Sequence, residues 1–272
     1  MALTELQRRI CRLIAENRIA SGESYLAGAA ALNELILAPR ISRDIDLFHD
    51  TDEALGASWQ ADRTLLQEHG LSVRLLRERP SFVEAFVSVA NEGVLMQWVR
   101  DSAYRFFPLV QHEELGLVLH PFDLATNKVL ALVGRLEVRD WVDLIQCDAR
   151  IQGLGYLAWA ACGKDPGFSP AAILDHAARS GRYSSEEVGS LSFAGAAPDA
   201  AVLSRQWKGM LASARDILAA LPPAEAGKCV LTLPGSLCNL GAADLRGAVA
   251  RGEIVFHAGR IRGALPRVVG SK

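Results

Sequence analysis

The spacing of apolar and polar residues divides the chain into two regions of different character. In the first region the pattern predicts helices over 3–18, 29–37 and about 52–69, and strands over 24–27, 44–48, 71–77, 82–90 and 94–100. From about residue 122 onward it predicts helices over 122–134, 139–150, 154–161, 169–179, 199–221 and 241–250, with one late strand over 253–257. We therefore expect an α/β (α+β) fold, with an N-terminal mixed sheet flanked by helices and then a mostly helical C-terminal region.

Composition supports a globular protein with a substantial core. The chain has 272 residues, of which 50% are apolar and 22% are charged, and this excludes disordered, collagenous and disulfide-scaffold proteins. No apolar run approaches the ~18–20 residues that span a bilayer, and no signal peptide is recognisable. The five scattered cysteines form no zinc-binding pattern and favour reduced thiols. We expect a cytoplasmic protein with no membrane partner.

The net charge of −2 hides an asymmetry between the two parts of the chain. Residues 1–150 contain 16 basic and 22 acidic residues, whereas residues 151–272 contain 13 basic and 9 acidic residues. A basic C-terminal part, including the Gly-rich tail, could bind a polyanion such as RNA, although compositional drift would produce the same numbers.

Two aspartates in one predicted strand form the sharpest chemical feature. Asp44 and Asp46 alternate with Ile45 and Leu47, so the carboxylates share one face while the apolar side chains point into a core. Like charges this close repel one another unless a cation lies between them, and Mg²⁺ (or Mn²⁺) suits oxygen ligands. A solvated strand face is the alternative that alternation alone leaves open.

Gly28 lies between the preceding strand and a small-residue helix. A glycine permits close backbone approach, and the first amides of a helix can receive a phosphate. Together with Asp44 and Asp46, this arrangement supplies the parts for metal-assisted phosphoryl or nucleotidyl transfer.

Two ordered motifs carry a family resemblance. Residues 25–32 (YLAGAAAL) followed by 42–48 (SRDIDLF) resemble the first motif of the minimal nucleotidyltransferases of the AbiEii/AbiGii toxin type, in the DNA polymerase β-like superfamily. Residues 123–144 are similar to that family's Lys…Ala-Leu…Arg…Arg-Asp-x-x-Asp-Leu block. The resemblance covers roughly residues 20–150. It implies a nucleotidyltransferase-like first domain. The change in the pattern of elements puts the domain boundary near residue 120, which gives domains over 1–120 and 121–272, or near residue 150.

The resemblance also implies roles for particular residues. Asp44 and Asp46 would hold the metal ion, and Asp143 would complete the acidic cluster or activate the attacking hydroxyl. The NTP would be bound by a set of residues from both motifs, namely Gly28, Ala29, Lys128, Arg135 and Arg139.

The chemistry of the second block agrees with these roles. Only five of the 29 basic residues are lysine, and Lys128 is the first of them, so a compact ammonium at this position is notable. Lys128 and Arg135 are two helical turns apart and can share one flank. Arg139 and Asp143 are also on one face, and a simple helix surface pair is the alternative interpretation.

Two positions depart from the family pattern. Ala29 stands where the family tends to have Gly or Ser, so a hydroxyl donor to phosphate is lacking. Gln97 stands in an apolar strand where many polymerase β-like enzymes carry a third acid, with Glu84 and Asp101 as nearby acids. His49 could contact a base or a phosphate, and residues 104–107 could form a platform on which a base stacks. Burial in a core is the alternative interpretation for both.

The leading hypothesis is a Mg²⁺-dependent nucleotidyltransferase that transfers NMP from an NTP to an acceptor hydroxyl. The resemblance implies an RNA acceptor, such as a tRNA 3′ end bound by the basic part after residue 150, and a cognate antitoxin as a partner. The alternative hypothesis is a catalytically weakened nucleotide- or protein-binding module, which Ala29 and Gln97 favour.

Overall fold

A computed structural model describes residues 2–266 of the chain. Its helices are α1 (Glu5–Ser21), α2 (Gly28–Leu35), α3 (Asp52–Glu68), α4 (Pro121–Arg135), α5 (Val138–Arg150), α6 (Leu154–Ala161), α7 (Pro170–Ala177), α8 (Ser185–Gly189), α9 (Ala200–Leu218) and α10 (Ala242–Ala250). Its strands are β1 (Ser24–Ala27), β2 (Asp44–His49), β3 (Ser72–Arg79), β4 (Phe82–Val89), β5 (Glu92–Arg100), β6 (Tyr104–Arg105), β7 (Val110–His112), β8 (Gly116–Val118), β9 (Lys228–Thr232), β10 (Ile254–Ala258) and β11 (Arg260–Ile261).

The described residues form two compact units. The first contains residues 2–103 and 109–120, and the second contains residues 104–108 and 121–266. Residues 104–108 therefore belong to the second unit, because β6 pairs antiparallel with β11 and both strands lie there.

A seven-stranded mixed sheet forms the centre of the first unit. Its strand order is β3-β4-β5-β2-β1-β8-β7, with parallel pairing of β2 with β5 and of β1 with β8 and antiparallel pairing elsewhere. Helices α1 and α3 pack against the sheet, where Trp59 of α3 meets Trp98 of β5 edge-on with ring centroids 4.8 Å apart. The indole of Trp98 donates to the buried Asp62 carboxylate at 3.0 Å. The predicted mixed sheet flanked by helices is confirmed.

The second unit is mostly helical, as the sequence predicts. All eight residues of α6 are buried, and this helix packs against α4, α7, α9 and β9. Gly155 makes the approach of α9 possible, since a Cβ at this position would lie 2.8 Å from Cβ of Ile217 and 2.9 Å from the carbonyl oxygen of Ala214. Within residues 2–266, no helix is long and apolar enough to cross a membrane. Arg267 and Lys272 of the predicted basic tail lie outside the described residues.

The sequence pattern misses several short elements. Strands β7 and β8 have three residues each, too few to show a period of two, yet β8 pairs with β1 inside the sheet. Strand β9 is a continuous apolar run, with Cys229, Val230 and Leu231 all buried, so it lacks alternation. These strands are fixed by tertiary pairing, which a local pattern does not contain.

Candidate functional site

Strand β2 presents the two aspartates on one face, in the orientation that the sequence predicts. Ile45 and Leu47 are fully buried, whereas Asp44 and Asp46 are half-buried on the opposite face. This alternation leaves two carboxylates at the surface of a rigid central strand, which is a precise platform for a ligand.

Gly28 lies directly against the Asp46 carboxylate. Asp46 is paired with Ala27 across β1 and β2, and Gly28 begins α2 with a positive φ of 66°. A Cβ on Gly28 would lie 1.8 Å from Oδ2 of Asp46, far inside contact distance. Only glycine allows both this backbone conformation and this approach. The Asp46 carboxylate therefore lies against the start of α2, and the first amides of a helix have no partner within that helix.

Gln97 is the neighbour of Asp46 on the adjacent strand. The two residues are paired in the parallel β2–β5 ladder, and Gln97 is paired in turn with Glu84 of β4. The Gln97 side-chain amide donates to Oε1 of Glu84 at 2.9 Å. Asp101 lies beyond the end of β5, where its backbone N–H donates to the carbonyl of His49. Within residues 2–266, no three His, Cys, Asp or Glu side chains lie close enough together to hold a metal ion.

The second block forms a buried ion-pair network in the second unit. Nζ of Lys128 on α4 lies 3.0 Å from Oδ1 of Asp140 and 3.2 Å from Oδ2 of Asp143, both on α5. Arg135 binds the same Asp140 carboxylate with two nitrogens, at 2.6 Å and 2.9 Å. Both carboxylates are fully buried, and Lys128 is only 7% exposed. The predicted sharing of one flank by Lys128 and Arg135 is thus observed, with Asp140 as their common partner.

The environment of Asp140 keeps it ionised. Burial alone would raise its pKa, but the hydrogen bonds from Arg135 and the charge of Lys128 outweigh burial and hold that pKa below the ordinary value. Asp140 lies within the second sequence motif but is not among the site residues predicted from the sequence. Its signal was available, because the Arg-Asp-x-x-Asp spacing puts two carboxylates on one helix face opposite a lysine. Arg139 itself lies 2.6 Å from Oε2 of Glu137.

Comparisons with known proteins identify the fold. No protein-family model and no curated protein matches the sequence. A solved candidate nucleotidyltransferase from H. pylori is 18% identical with a TM-score of 0.53, over 80% of this chain and 99% of that one. JHP933 from Helicobacter pylori is 17% identical with a TM-score of 0.52, over 80% and 95%. The MenT4 nucleotidyltransferase toxin of Mycobacterium tuberculosis is 14% identical with a TM-score of 0.53, over 76% and 82%.

The chain has a nucleotidyltransferase fold. The resemblance drawn from the two sequence motifs is confirmed at this level. A likeness at these identities concerns the fold, so the activity has to be argued from the residues of this chain.

The acidic residues of the first unit fit a divalent cation. Asp44 and Asp46 supply hard oxygen ligands on one face, and the absence of a side chain at Gly28 lets the Asp46 carboxylate lie where a Cβ would otherwise be. In nucleotide-dependent enzymes Mg²⁺ often takes one or two protein carboxylates and completes its shell with substrate phosphates and water. Two aspartates are therefore a sufficient protein contribution when an NTP is also bound.

Other residues weighed from the sequence are part of the two cores. His49 is fully buried with Nδ1 3.3 Å from the carbonyl oxygen of Val99, and burial lowers its pKa to about 4. Phe106 and Phe107 are buried and pack edge-on against Phe122. The core interpretation of these aromatic residues is confirmed, and the stacking platform is wrong.

Proposed function

We propose that this protein transfers a nucleoside monophosphate from an NTP to an acceptor hydroxyl, with Asp44 and Asp46 holding Mg²⁺ (or Mn²⁺). The observation that carries the proposal is the pair of carboxylates on one face of β2, of which Asp46 lies directly against Gly28 at the start of α2. This juxtaposition puts a cation site next to an anion site, as a metal–triphosphate complex requires.

The reaction assigns a task to each part of this site. The acceptor oxygen attacks the α-phosphorus, the bond to the β-phosphate oxygen breaks, and pyrophosphate leaves while the acceptor proton passes to a base or to water. When bound, the metal ion would polarise the α-phosphate and lower the pKa of the attacking hydroxyl. The amides of Gly28 and Ala29 would hold phosphate oxygens through the start of α2. Ala29 offers no hydroxyl, so this contact is made by the backbone alone.

We also propose roles in nucleotide binding for the basic residues of the second block. Lys128 would bind the triphosphate, assisted by Arg135 and Arg139, and Asp143 would support the acceptor or the acidic cluster. The two carboxylates beside the Lys128 ammonium fix its position, which favours directed binding of a phosphate over a flexible surface charge. A purely structural salt-bridge network is the competing interpretation, and a Lys128 variant decides between them.

The acceptor and the biological setting extend this proposal. MenT4 is named as a nucleotidyltransferase toxin, and the sequence motifs resemble those of AbiEii-type toxins. Both favour a toxin of a toxin–antitoxin or phage-defence pair, with an RNA acceptor such as a tRNA 3′ end, a cognate antitoxin and a cytoplasmic location.

A binding module without catalysis is the second candidate function. Gln97 favours it, because the position next to Asp46 carries an amide that is held by Glu84 and brings no charge. Such a module would still bind an NTP, with its phosphates at the start of α2 beside Gly28, but would transfer nothing.

Incubation with labelled nucleotides separates the two candidates. Purified protein is mixed with MgCl₂, each α-³²P-NTP in turn, and total tRNA, and NTP binding is measured in parallel by calorimetry. The enzyme hypothesis predicts label on RNA that disappears in Asp46→Asn and in Asp44→Asn. Binding without label transfer, unchanged in Asp44→Ala, would instead support the module.

A further inference from the structure

Three arginines line the outer edge of the sheet in the first unit. Arg74, Arg77 and Arg79 lie on the edge strand β3, and all three are exposed. Among residues 2–266, none of the three lies within ion-pair distance of a carboxylate, although Glu84 is paired with Arg77 across the ladder. The Glu84 carboxylate instead accepts the Gln97 amide. These arginines therefore present three positive charges at a surface, none of them in an ion pair among residues 2–266.

The register of the sheet connects these arginines to the acidic pair. One cross-strand row runs from Arg77 through Glu84 and Gln97 to Asp46. Directly paired residues project from the same face of a sheet, so Arg77 and Asp46 share a face.

A second row repeats this arrangement two residues along β2. It begins at Arg74 on β3, passes Phe86 and Leu95, and ends at Asp44. With strands about 4.8 Å apart, three steps put the arginine backbone about 14 Å from the aspartate backbone in each row.

Two of the three arginine side chains lie over aromatic rings. The guanidinium of Arg74 lies 5.7 Å from the ring centroid of Phe86, and that of Arg77 lies 5.9 Å from that of Phe82. Phe86 is itself seated over Gly93, where a Cβ would lie 2.2 Å from the ring. The side of each guanidinium that faces away from the ring stays exposed, and so do its N–H groups. That side can stack on a base and the N–H groups can bind a phosphate.

We propose that the β3 arginines bind the single-stranded 3′ segment of the RNA acceptor and lead its terminal hydroxyl towards Asp44 and Asp46. The proposal rests on the proposed function for the identity of the acceptor. Acceptor binding is thereby placed on β3 and not on the basic part after residue 150, where the charge distribution of the sequence led us to expect it. A polyanion suits an edge that carries three exposed arginines, because the Glu84 carboxylate next to Arg77 already accepts the Gln97 amide.

Two matched charge-removal variants of the full chain test this site. The first replaces Arg74, Arg77 and Arg79 with Gln. The control replaces three exposed basic residues of α9 and α10 with Gln, namely Arg205, Lys208 and Arg246. Both variants lose three positive charges and both change surface positions only, so melting temperatures within a few degrees of wild type show that each is folded.

The probe is a fluorescein-labelled single-stranded RNA of about twelve nucleotides, measured by anisotropy at several salt concentrations. The β3 variant should bind at least tenfold more weakly, and its slope of log affinity against log salt should fall by about 2, since each phosphate contact to single strands contributes about 0.7. The control variant should bind within about twofold of wild type, and NTP binding should be unchanged in both.

Equal losses in the two variants, or a loss in the control alone, would overturn the proposal. Unchanged RNA affinity in the β3 variant would also overturn it. The binding assay needs no turnover. A selective loss of RNA binding in a chain that transfers no nucleotide would therefore uphold the β3 site and refute the proposed enzyme.

Discussion

Replacing Gly28 with alanine tests the contact on which the site is built. The new Cβ would lie 1.8 Å from Oδ2 of Asp46 on a residue with φ of 66°. The left-handed conformation costs about 1–2 kcal/mol for a residue with a Cβ. Displacement of the carboxylate adds about 1–3 kcal/mol, by analogy with overpacked cores. We expect the free energy of unfolding to fall by about 2–5 kcal/mol and Mg²⁺–NTP affinity to fall at least tenfold.

Gly22 provides the matched control for this experiment. It has the same backbone conformation, with φ of 65°, but a Cβ there would meet nothing within 4 Å. Gly22→Ala should therefore lose only the backbone cost, about 1–2 kcal/mol, and retain NTP binding. Urea denaturation and calorimetry with Mg²⁺ and NTP give both quantities.

A double variant isolates the steric part of the loss. In an Asp46→Ala background the carboxylate is gone, and the nearest atom of residue 46 to the new Cβ at position 28 is its own Cβ, at 3.0 Å. Gly28→Ala should then destabilise the protein by little more than the backbone cost. Equal stability and equal NTP affinity in Gly28→Ala and Gly22→Ala would refute the reasoning.

Three further perturbations probe other parts of the account. Lys128→Met should lower the free energy of unfolding at pH 7 by about 3 kcal/mol, because it removes the ammonium that pairs with the buried carboxylates of Asp140 and Asp143. It should also abolish nucleotide transfer. In wild type the stability that Asp140 contributes is present above its ordinary pKa of 3.8 and is lost as the pH falls through its lowered pKa. The difference in the free energy of unfolding between wild type and Lys128→Met should therefore shrink below about pH 4. Burial lowers the pKa of His49 from 6.5 to about 4, so the unfolded state binds more protons between these values. Wild type should then lose about 3 kcal/mol more than His49→Gln between pH 6.5 and pH 4. Gln97→Glu puts a third carboxylate beside Asp46 and should lower the Mg²⁺ concentration for half-maximal activity about tenfold.

Each of these predictions has a clear contrary result. A Lys128→Met protein that transfers nucleotide at the wild-type rate would remove the lysine from the nucleotide site. Parallel stability curves for wild type and His49→Gln from pH 6.5 to pH 4 would show that His49 is solvated. An unchanged Mg²⁺ requirement in Gln97→Glu would mean that residue 97 does not face the cation.

Local sequence patterns predict which side chains of β2 form the site but not which residues lie next to them. The alternation of Asp44, Ile45, Asp46 and Leu47 fixes which side chains are exposed, because a strand allows only two faces. Gly28 is signalled by its place between a strand and a helix. What the pattern does not contain is the strand order, which puts β5 beside β2 and so brings Gln97 next to Asp46.

Local sequence patterns are also insufficient to predict the ion-pair network around Lys128 and the surface formed by the β3 arginines. The helical spacing of Lys128 and Arg135 predicts that they share a flank, but their common partner Asp140 comes from the packing of α5 on α4. Arg74 and Arg77 look like ordinary surface charges in sequence. Their meaning comes from the cross-strand rows, which depend on long-range pairing.

The central claim is the transfer of a nucleotidyl group at Asp44 and Asp46, and the position of the transferred label tests it most directly. Wild type and Asp46→Asn are incubated side by side with Mg²⁺ and total tRNA, once with α-³²P-NTP and once with γ-³²P-NTP. The account predicts RNA labelled from the α-phosphate only, and only by the wild-type protein. Label from the γ-phosphate, or α-label that persists in Asp46→Asn, would contradict it.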